Sequence, residues 1–138
     1  MQAVPYCLDT NILLYAFSRS KRDAAKARIA RDWLGRLDWA VPVQVLKEFY
    51  VNVIRPPHTL DHAEATAMIE EIAEARPIVA SDLALLRHAL RITERHGISY
   101  WDAAIVAGAL RLGAHTLVTE DLSNGQDYGG IRVLNPFV

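Results

Sequence analysis

The sequence has little cysteine, no long apolar run and no repeated segment, and each of these absences narrows what the chain can be. Its single cysteine, Cys7, lies inside an apolar run, which excludes a disulfide framework and favours a reducing cytoplasm. No apolar stretch approaches the roughly 20 residues that span a bilayer, and no basic flank precedes a cleavable apolar segment. We therefore expect one domain over residues 1–138, without membrane association.

Net charge is also nearly absent. It is −1 at pH 7, so the chain as a whole does not attract nucleic acid electrostatically. Basic residues are nevertheless concentrated in residues 19–36, which include Arg19, Lys21, Arg22 and Lys26. Such a segment is either a phosphate-binding surface or the solvent-facing side of a helix, and the sequence leaves both open.

Short apolar segments alternate with amphipathic ones along the chain. The apolar segments predict strands at residues 4–8, 39–43, 77–80, 115–119 and 131–134. Helical periodicity and capping residues predict helices at 11–17, 22–37, 44–54 and 62–75, and then from Asp82 to Gly97 and from Ser99 to Gly113. This alternation predicts an α/β three-layer sandwich with a mainly parallel central sheet of about five strands. Such sheets bind ligands beyond the carboxyl ends of their strands.

Two helices show a regular apolar spacing. In residues 22–37 apolar side chains recur at every fourth position, which predicts a buried face. The helix after Asp82 has leucines on one face. These residues are Ala25, Ile29, Trp33 and Leu37 in the first helix, and Leu83, Leu86 and Leu90 in the second.

Four acids occupy comparable places in this pattern. Asp9 and Asp121 follow predicted strands, while Glu48 and Asp102 lie in early turns of helices. In a parallel α/β sandwich these positions converge on one edge of the sheet, where carboxylates would repel each other unless a divalent cation neutralised them. Oxygen ligands without a His or Cys cluster suit Mg²⁺ or Mn²⁺ better than zinc.

Each acid also has an ordinary structural explanation. Asp102 stands three residues after Ser99, as in a capping box, and Asp121 lies in a turn-forming segment next to Glu120. Strand alternation allows only one of Glu120 and Asp121 to face a given site. Glu48 is explained equally well as a boundary residue that reaches solvent. Thr10 and Asn11 are candidate caps of the first helix.

The segments "LDTN", "KEF", "SYWDAAIVAGAL" and "LVTEDL" resemble, in order and spacing, the acidic motifs of PIN-domain ribonucleases, and more closely VapC-type toxins of toxin–antitoxin pairs. The resemblance implies that the metal-binding and catalytic acids are Asp9, Glu48, Asp102 and Asp121. It adds Asn11 and Thr119 as supporting residues. Many members have an aromatic residue shortly after the fourth acid, whereas this chain has Leu122 and Ser123 there.

The resemblance further implies an RNA substrate, a Mg²⁺ or Mn²⁺ cofactor, a cognate antitoxin and a homodimer. The basic residues Arg19, Lys21, Arg22 and Lys26 are then candidates for holding RNA phosphates. Tyr128 in the glycine-rich loop is a candidate for stacking on a base. We interpret Trp33, Trp39 and Trp101 as core or interface residues. A non-catalytic partner-binding domain or a receiver-like signalling domain is the alternative.

Overall fold

The computed structural model describes residues 4–58 and 60–138, and within them five short strands form one parallel sheet. The strands are β1 (Tyr6–Leu8), β2 (Trp39–Pro42), β3 (Ile78–Val79), β4 (Thr116–Val118) and β5 (Arg132–Leu134). Their order across the sheet is β3-β2-β1-β4-β5, and every neighbouring pair is parallel. The predicted parallel sheet of an α/β sandwich is confirmed.

Six α-helices connect the strands in the described part of the chain, with a 3₁₀ turn at Lys21–Asp23 before the second. They are α1 (Thr10–Ala16), α2 (Ala24–Leu34), α3 (Val43–Val53), α4 (His62–Ala75), α5 (Leu83–His96) and α6 (Tyr100–Arg111).

Local chemistry sets several of the helix boundaries. Asp61 and Glu64 form a reciprocal capping box at the start of α4, as the sequence predicts. Asp82 caps α5 by accepting from the backbone N–H of Leu85. Gly97 ends α5 in the left-handed conformation, with φ 65°, which glycine adopts without steric cost.

The strand order divides the helices between the two faces of the sheet. The chain moves outward from β1 to β2 and β3, then returns across the sheet to β4 on the other side of β1. Because such crossovers are right-handed, α1 to α4 and the α5–α6 pair cover opposite faces. In agreement, β2 contacts α3 as well as α6. The crevice between the carboxyl ends of β1 and β4 is the topological switch point, where ligands bind in such sheets.

The regular apolar spacings of α2 and α5 do not coincide with the faces that these helices bury. The fully buried side chains of α2 are Ala27 and Ala30, while Leu37 lies beyond the helix and is 93% exposed. The leucine face of α5 (Leu83, Leu86 and Leu90) is exposed, and the helix packs into the core through Leu85, Ala89 and Ile92 instead. A regular spacing identifies a helix but not which of two apolar faces is buried. None of the helices in residues 4–58 and 60–138 is both long and apolar enough to cross a membrane.

Helix α6 approaches the end of β2 so closely that only glycine fits at the contact. A Cβ atom at Gly108 would lie 2.7 Å from the Cβ atom of Pro42. We expect Gly108→Ala to lower the free energy of unfolding by about 1–3 kcal/mol, because backbone or ring must shift to relieve the overlap. The matched control is Gly35→Ala, whose nearest neighbour would be Asp32 O at 3.5 Å. Equal urea midpoints for the two variants would contradict this prediction.

Candidate active site

Asp9 joins β1 to α1 at the switch point of the sheet. Its backbone N–H donates to Val118 O on neighbouring β4 (3.0 Å), which fixes its position beside the end of that strand. Its side chain caps α1 by accepting from the backbone N–H of Thr10 (2.7 Å). The residue is buried, with 5% of its surface exposed. The carboxylate therefore has a fixed place and little water around it.

Thr119, directly after β4, connects this carboxylate to the next strand end. Its hydroxyl is fully buried and donates to Asp9 Oδ2 (2.8 Å). Thr119 Oγ1 also accepts from Asn11 Nδ2 (3.1 Å) and from the backbone N–H of Asp121 (3.0 Å). One hydroxyl thus holds two acids and an amide in fixed relation.

Helix α1 extends the network to the remaining elements through Thr10 and Asn11. Thr10 Oγ1 donates to Glu48 Oε2 on α3 (2.7 Å), and Asn11 Nδ2 donates to Asp121 Oδ2 (3.0 Å). The alternative explanation of Thr10 and Asn11 as caps of the first helix is therefore wrong. Asp9 is the cap, and the two polar residues behind it bind acids that lie far away in sequence.

Asp102 lies in the first turn of α6, where Ser99 caps the helix by accepting from the Asp102 backbone N–H (3.1 Å). Partial burial raises the pKa of the Asp102 carboxyl, and the negative charges of Asp121 and Glu48 act in the same direction. All four sequence-predicted acids therefore lie within electrostatic reach of at least two others.

The charge of this cluster is not compensated within the described residues. The ion pairs there are Lys26–Glu120, Arg36–Asp38 and Arg111–Asp82, and none includes the four acids. Burial raises the pKa of Asp9 from its ordinary value to about 7, with further contributions from the charges of Asp121 and Glu48. The hydrogen bonds from Thr119 and Thr10 oppose this rise but are the smaller effect. A cation would relieve the repulsion.

An open pocket of about 500 Å³ lies over this network. Glu48 and Asp121 reach its surface, and Asp9 lies beneath it with no atom in the lining. Its lining residues are Thr10, Asn11, Leu14, Glu48, Asn52, Trp101 and Asp121. The pocket is therefore lined both by carboxylates and by an exposed indole.

The donor set suits a hard divalent cation, because carboxylate and amide oxygens dominate it. Asn11 Oδ1 is buried without a hydrogen-bond partner among the described residues, so the cluster has a spare neutral oxygen as well. In the present side-chain arrangement, however, no three Asp, Glu, His or Cys side chains of the described residues group closely enough to hold one ion. Thr10 and Asn11 occupy oxygens of Glu48 and Asp121 instead.

Of the two neighbouring acids Glu120 and Asp121, only Asp121 lines the acidic pocket. The Glu120 carboxylate accepts from Tyr15 Oη (2.6 Å) and pairs with Lys26 Nζ (2.8 Å). Lys26, a predicted phosphate contact, is thus engaged by an acid. Arg19, Lys21 and Arg22 are exposed, and Arg22 lines a second pocket of about 300 Å³ that shares Asn11 with the first.

Two aromatic residues lie where the sequence did not predict them. Tyr128, the predicted stacking residue, is only 3% exposed and packs in the core, so that prediction is wrong. Trp101, interpreted as core or interface, is not a core residue, because it is 65% exposed and lines the acidic pocket. The interface interpretation stays a prediction. The sequence signal that could have placed Trp101 near the site is its position immediately before Asp102, one of the four predicted acids.

The fold and the pocket define an α/β protein with a carboxylate-lined cleft at the carboxyl edge of a parallel sheet. The sequence profile of the PIN domain matches residues 6–123, and the chain belongs to the PIN-domain family. Comparison with curated protein sequences gives no significant match.

Solved structures with the same fold include a toxin–antitoxin complex and a toxin. A toxin–antitoxin complex from Klebsiella pneumoniae aligns with TM-score 0.67 and 20% identity over 95% of this chain and 97% of that chain. FitAcB from Neisseria gonorrhoeae aligns with TM-score 0.63 and 19% identity over 96% and 98%. VapC20 from Mycobacterium tuberculosis, described as a Sarcin-Ricin loop cleaving toxin, aligns with TM-score 0.63 and 18% identity over 84% and 91%.

Proposed function

We propose that this protein is a metal-dependent endoribonuclease and the toxin of a toxin–antitoxin pair, with residues 1–138 acting as a single PIN-like domain. The observation that supports this most directly is the acidic cluster. The carboxylates of Asp9, Glu48 and Asp121, from separate parts of the chain, are linked through Thr119, Thr10 and Asn11. Asp102 lies within electrostatic reach of Glu48 and Asp121, and none of the four acids has a basic partner among the described residues. A cluster that only stabilised the fold would be expected to pair its buried charge.

In this proposal Asp9, Glu48, Asp102 and Asp121 hold Mg²⁺ or Mn²⁺. A bound cation supplies Lewis-acid chemistry for hydrolysis of a phosphodiester, activating water and stabilising the leaving oxygen. Asp9 is the fixed member, because its backbone is bonded to β4 and its side chain to α1. Asp121 and Glu48 line the pocket, where the substrate would bind. Thr119 and Asn11 are positioning residues.

The basic surface supplies the remaining RNA contacts. Arg19, Lys21 and Arg22 are exposed, with Arg22 in the lining of the second pocket, and are proposed to hold phosphates on either side of the cleavage site. Lys26 contributes only if its pair with Glu120 opens.

The toxin assignment is supported by the structures that share the fold. A protein described as a toxin–antitoxin complex aligns over nearly the whole chain, and so does most of a protein described as a toxin. We accordingly propose a cognate antitoxin that covers the acidic pocket, a homodimer, and a cytoplasmic location.

An RNA cleavage assay on the purified protein tests the proposal. With Mg²⁺ or Mn²⁺ we expect cleavage of at least one member of a panel of structured and single-stranded RNAs, and with EDTA we expect none. Asp9→Asn should also be inactive, since it keeps the size of the side chain but removes its charge. Equal cutting by wild type and variant would identify a contaminating nuclease. A wild type that cuts none of the panel would favour the partner-binding alternative.

A further inference from the structure

Trp101 is an unusual residue to find in solvent. It is 65% exposed, whereas Trp39 is 2% exposed and Trp33 packs against the core. Tryptophan is the largest apolar side chain, and leaving most of it in water forgoes a large favourable burial. An exposed tryptophan therefore marks a binding surface more often than an exposed leucine does.

The environment of Trp101 is specific. It lines the acidic pocket together with Leu14, an apolar neighbour, and with Glu48 and Asp121. The residue that follows it in α6 is Asp102. The indole therefore lies beside the proposed reaction centre.

The backbone and ring of Trp101 are held in place. Gln44 on α3 donates from Nε2 to the Trp101 carbonyl (3.4 Å) and from the same nitrogen to Glu48 Oε1 (3.1 Å). The Tyr100 ring contacts the indole in an edge-to-face arrangement, with centroids 5.2 Å apart. A ring supported in this way loses little freedom when a ligand packs on it.

Charge limits which part of an RNA can lie here. The pocket is lined by carboxylates, so phosphates close to it are repelled unless a cation intervenes. A base is neutral and has a flat π-face, which stacks on an indole regardless of base identity. Bases in a duplex are already stacked on each other, whereas unpaired bases are free to stack on an aromatic side chain.

We propose that Trp101 is a base-stacking platform that positions unpaired RNA by holding a base next to the scissile phosphate. This rests on the proposed ribonuclease function. It predicts a substrate that is single-stranded at the cleavage site, such as a loop.

A binding experiment with Ca²⁺ in place of Mg²⁺ tests the stacking without requiring cleavage, because a divalent cation offsets the repulsion between the carboxylates and the RNA phosphates. A short single-stranded oligoribonucleotide of mixed sequence should quench the tryptophan emission of the wild type, and the matching duplex should not. Trp101→Phe should show no quenching, because the remaining tryptophans lie away from the pocket. It should nevertheless bind a fluorescein-labelled copy of the RNA within about 3-fold of wild type, while Trp101→Ala binds about 5- to 100-fold more weakly. Leu90→Ala, which removes another exposed apolar side chain, is the control and should bind normally.

Cleavage kinetics separate this inference from the proposed function. A stacking platform predicts that Trp101→Ala raises KM with a smaller effect on kcat, and that Trp101→Phe restores KM. Replacing the flanking base by an abasic site should raise KM for wild type but not further for Trp101→Ala. If RNA is cleaved and Trp101→Ala leaves KM unchanged, the stacking inference is overturned while the nuclease stands, and the indole better fits a protein partner. If wild type never cleaves but single-stranded RNA quenches Trp101, the nuclease fails and the stacking holds.

Discussion

Replacing Asp121 by Asn is expected to lower RNA cleavage by at least about 100-fold while leaving the fold intact, because losing a charged ligand removes several kcal/mol of transition-state stabilisation. At this position the substitution removes the negative charge without disturbing the hydrogen bonding of the side chain. Asp121 is exposed, and its only side-chain hydrogen bond within the described residues is the one that Oδ2 accepts from Asn11 (3.0 Å). An asparagine oxygen can accept that bond equally well. Cleavage rates, a thermal unfolding curve and the Mn²⁺-induced shift of Tm provide the measurements.

The control for Asp121→Asn is Asp127→Asn in the following loop. Asp127 is also exposed and also accepts one hydrogen bond, from the backbone N–H of Gly130 (2.8 Å). The control should cleave normally. When the free Mn²⁺ concentration is ten times its Kd, the control should be stabilised by about 1.4 kcal/mol, as the wild type should be. Asp121→Asn should be stabilised clearly less. Normal cleavage by Asp121→Asn would remove this residue from the site.

The sequence predicts the parts of the fold that depend on neighbouring residues. The capping box of Asp61 and Glu64, the cap at Asp82 and the glycine end at Gly97 all involve residues within a few positions of each other, and the structure contains each of them. The alternation of strands and helices likewise predicts the parallel sheet, because short apolar strands separated by helices have few other ways to pair.

The interactions that the sequence could not reveal join distant residues. Thr10 binds an acid 38 positions away, and Asn11 binds one 110 positions away, so neither partner is visible from local spacing. Local chemistry favoured the capping explanation, which needs only neighbouring backbone. The exposure of Trp101 and the burial of Tyr128 depend in the same way on which surfaces the completed fold covers.

Thr119→Val is expected to disturb the site most strongly among the residues that carry no charge. Valine has the same shape but cannot bond to Asp9 Oδ2, Asn11 Nδ2 or the backbone N–H of Asp121, and these groups lie near a fully buried position. Leaving a buried polar group such as Asp9 Oδ2 unpaired costs about 1–3 kcal/mol, so the free energy of unfolding should fall measurably. Cleavage should fall by about 10- to 100-fold, as when a residue that orients metal ligands is removed.

Two control variants distinguish the loss of the Thr119 hydroxyl from a general disturbance of β4. Thr119→Ser keeps the hydroxyl and should retain most of the cleavage, with a kcat within about 5-fold of wild type, since the positioning bonds remain. Thr116→Val removes a hydroxyl from the same strand, where its side-chain contact is His115 Nδ1 (2.7 Å), and should leave cleavage unchanged. If Thr119→Val folds and cleaves like wild type, the acids do not depend on this hydroxyl for their positions. If Thr119→Ser is as impaired as Thr119→Val, packing of the γ-methyl group is what matters at this strand end.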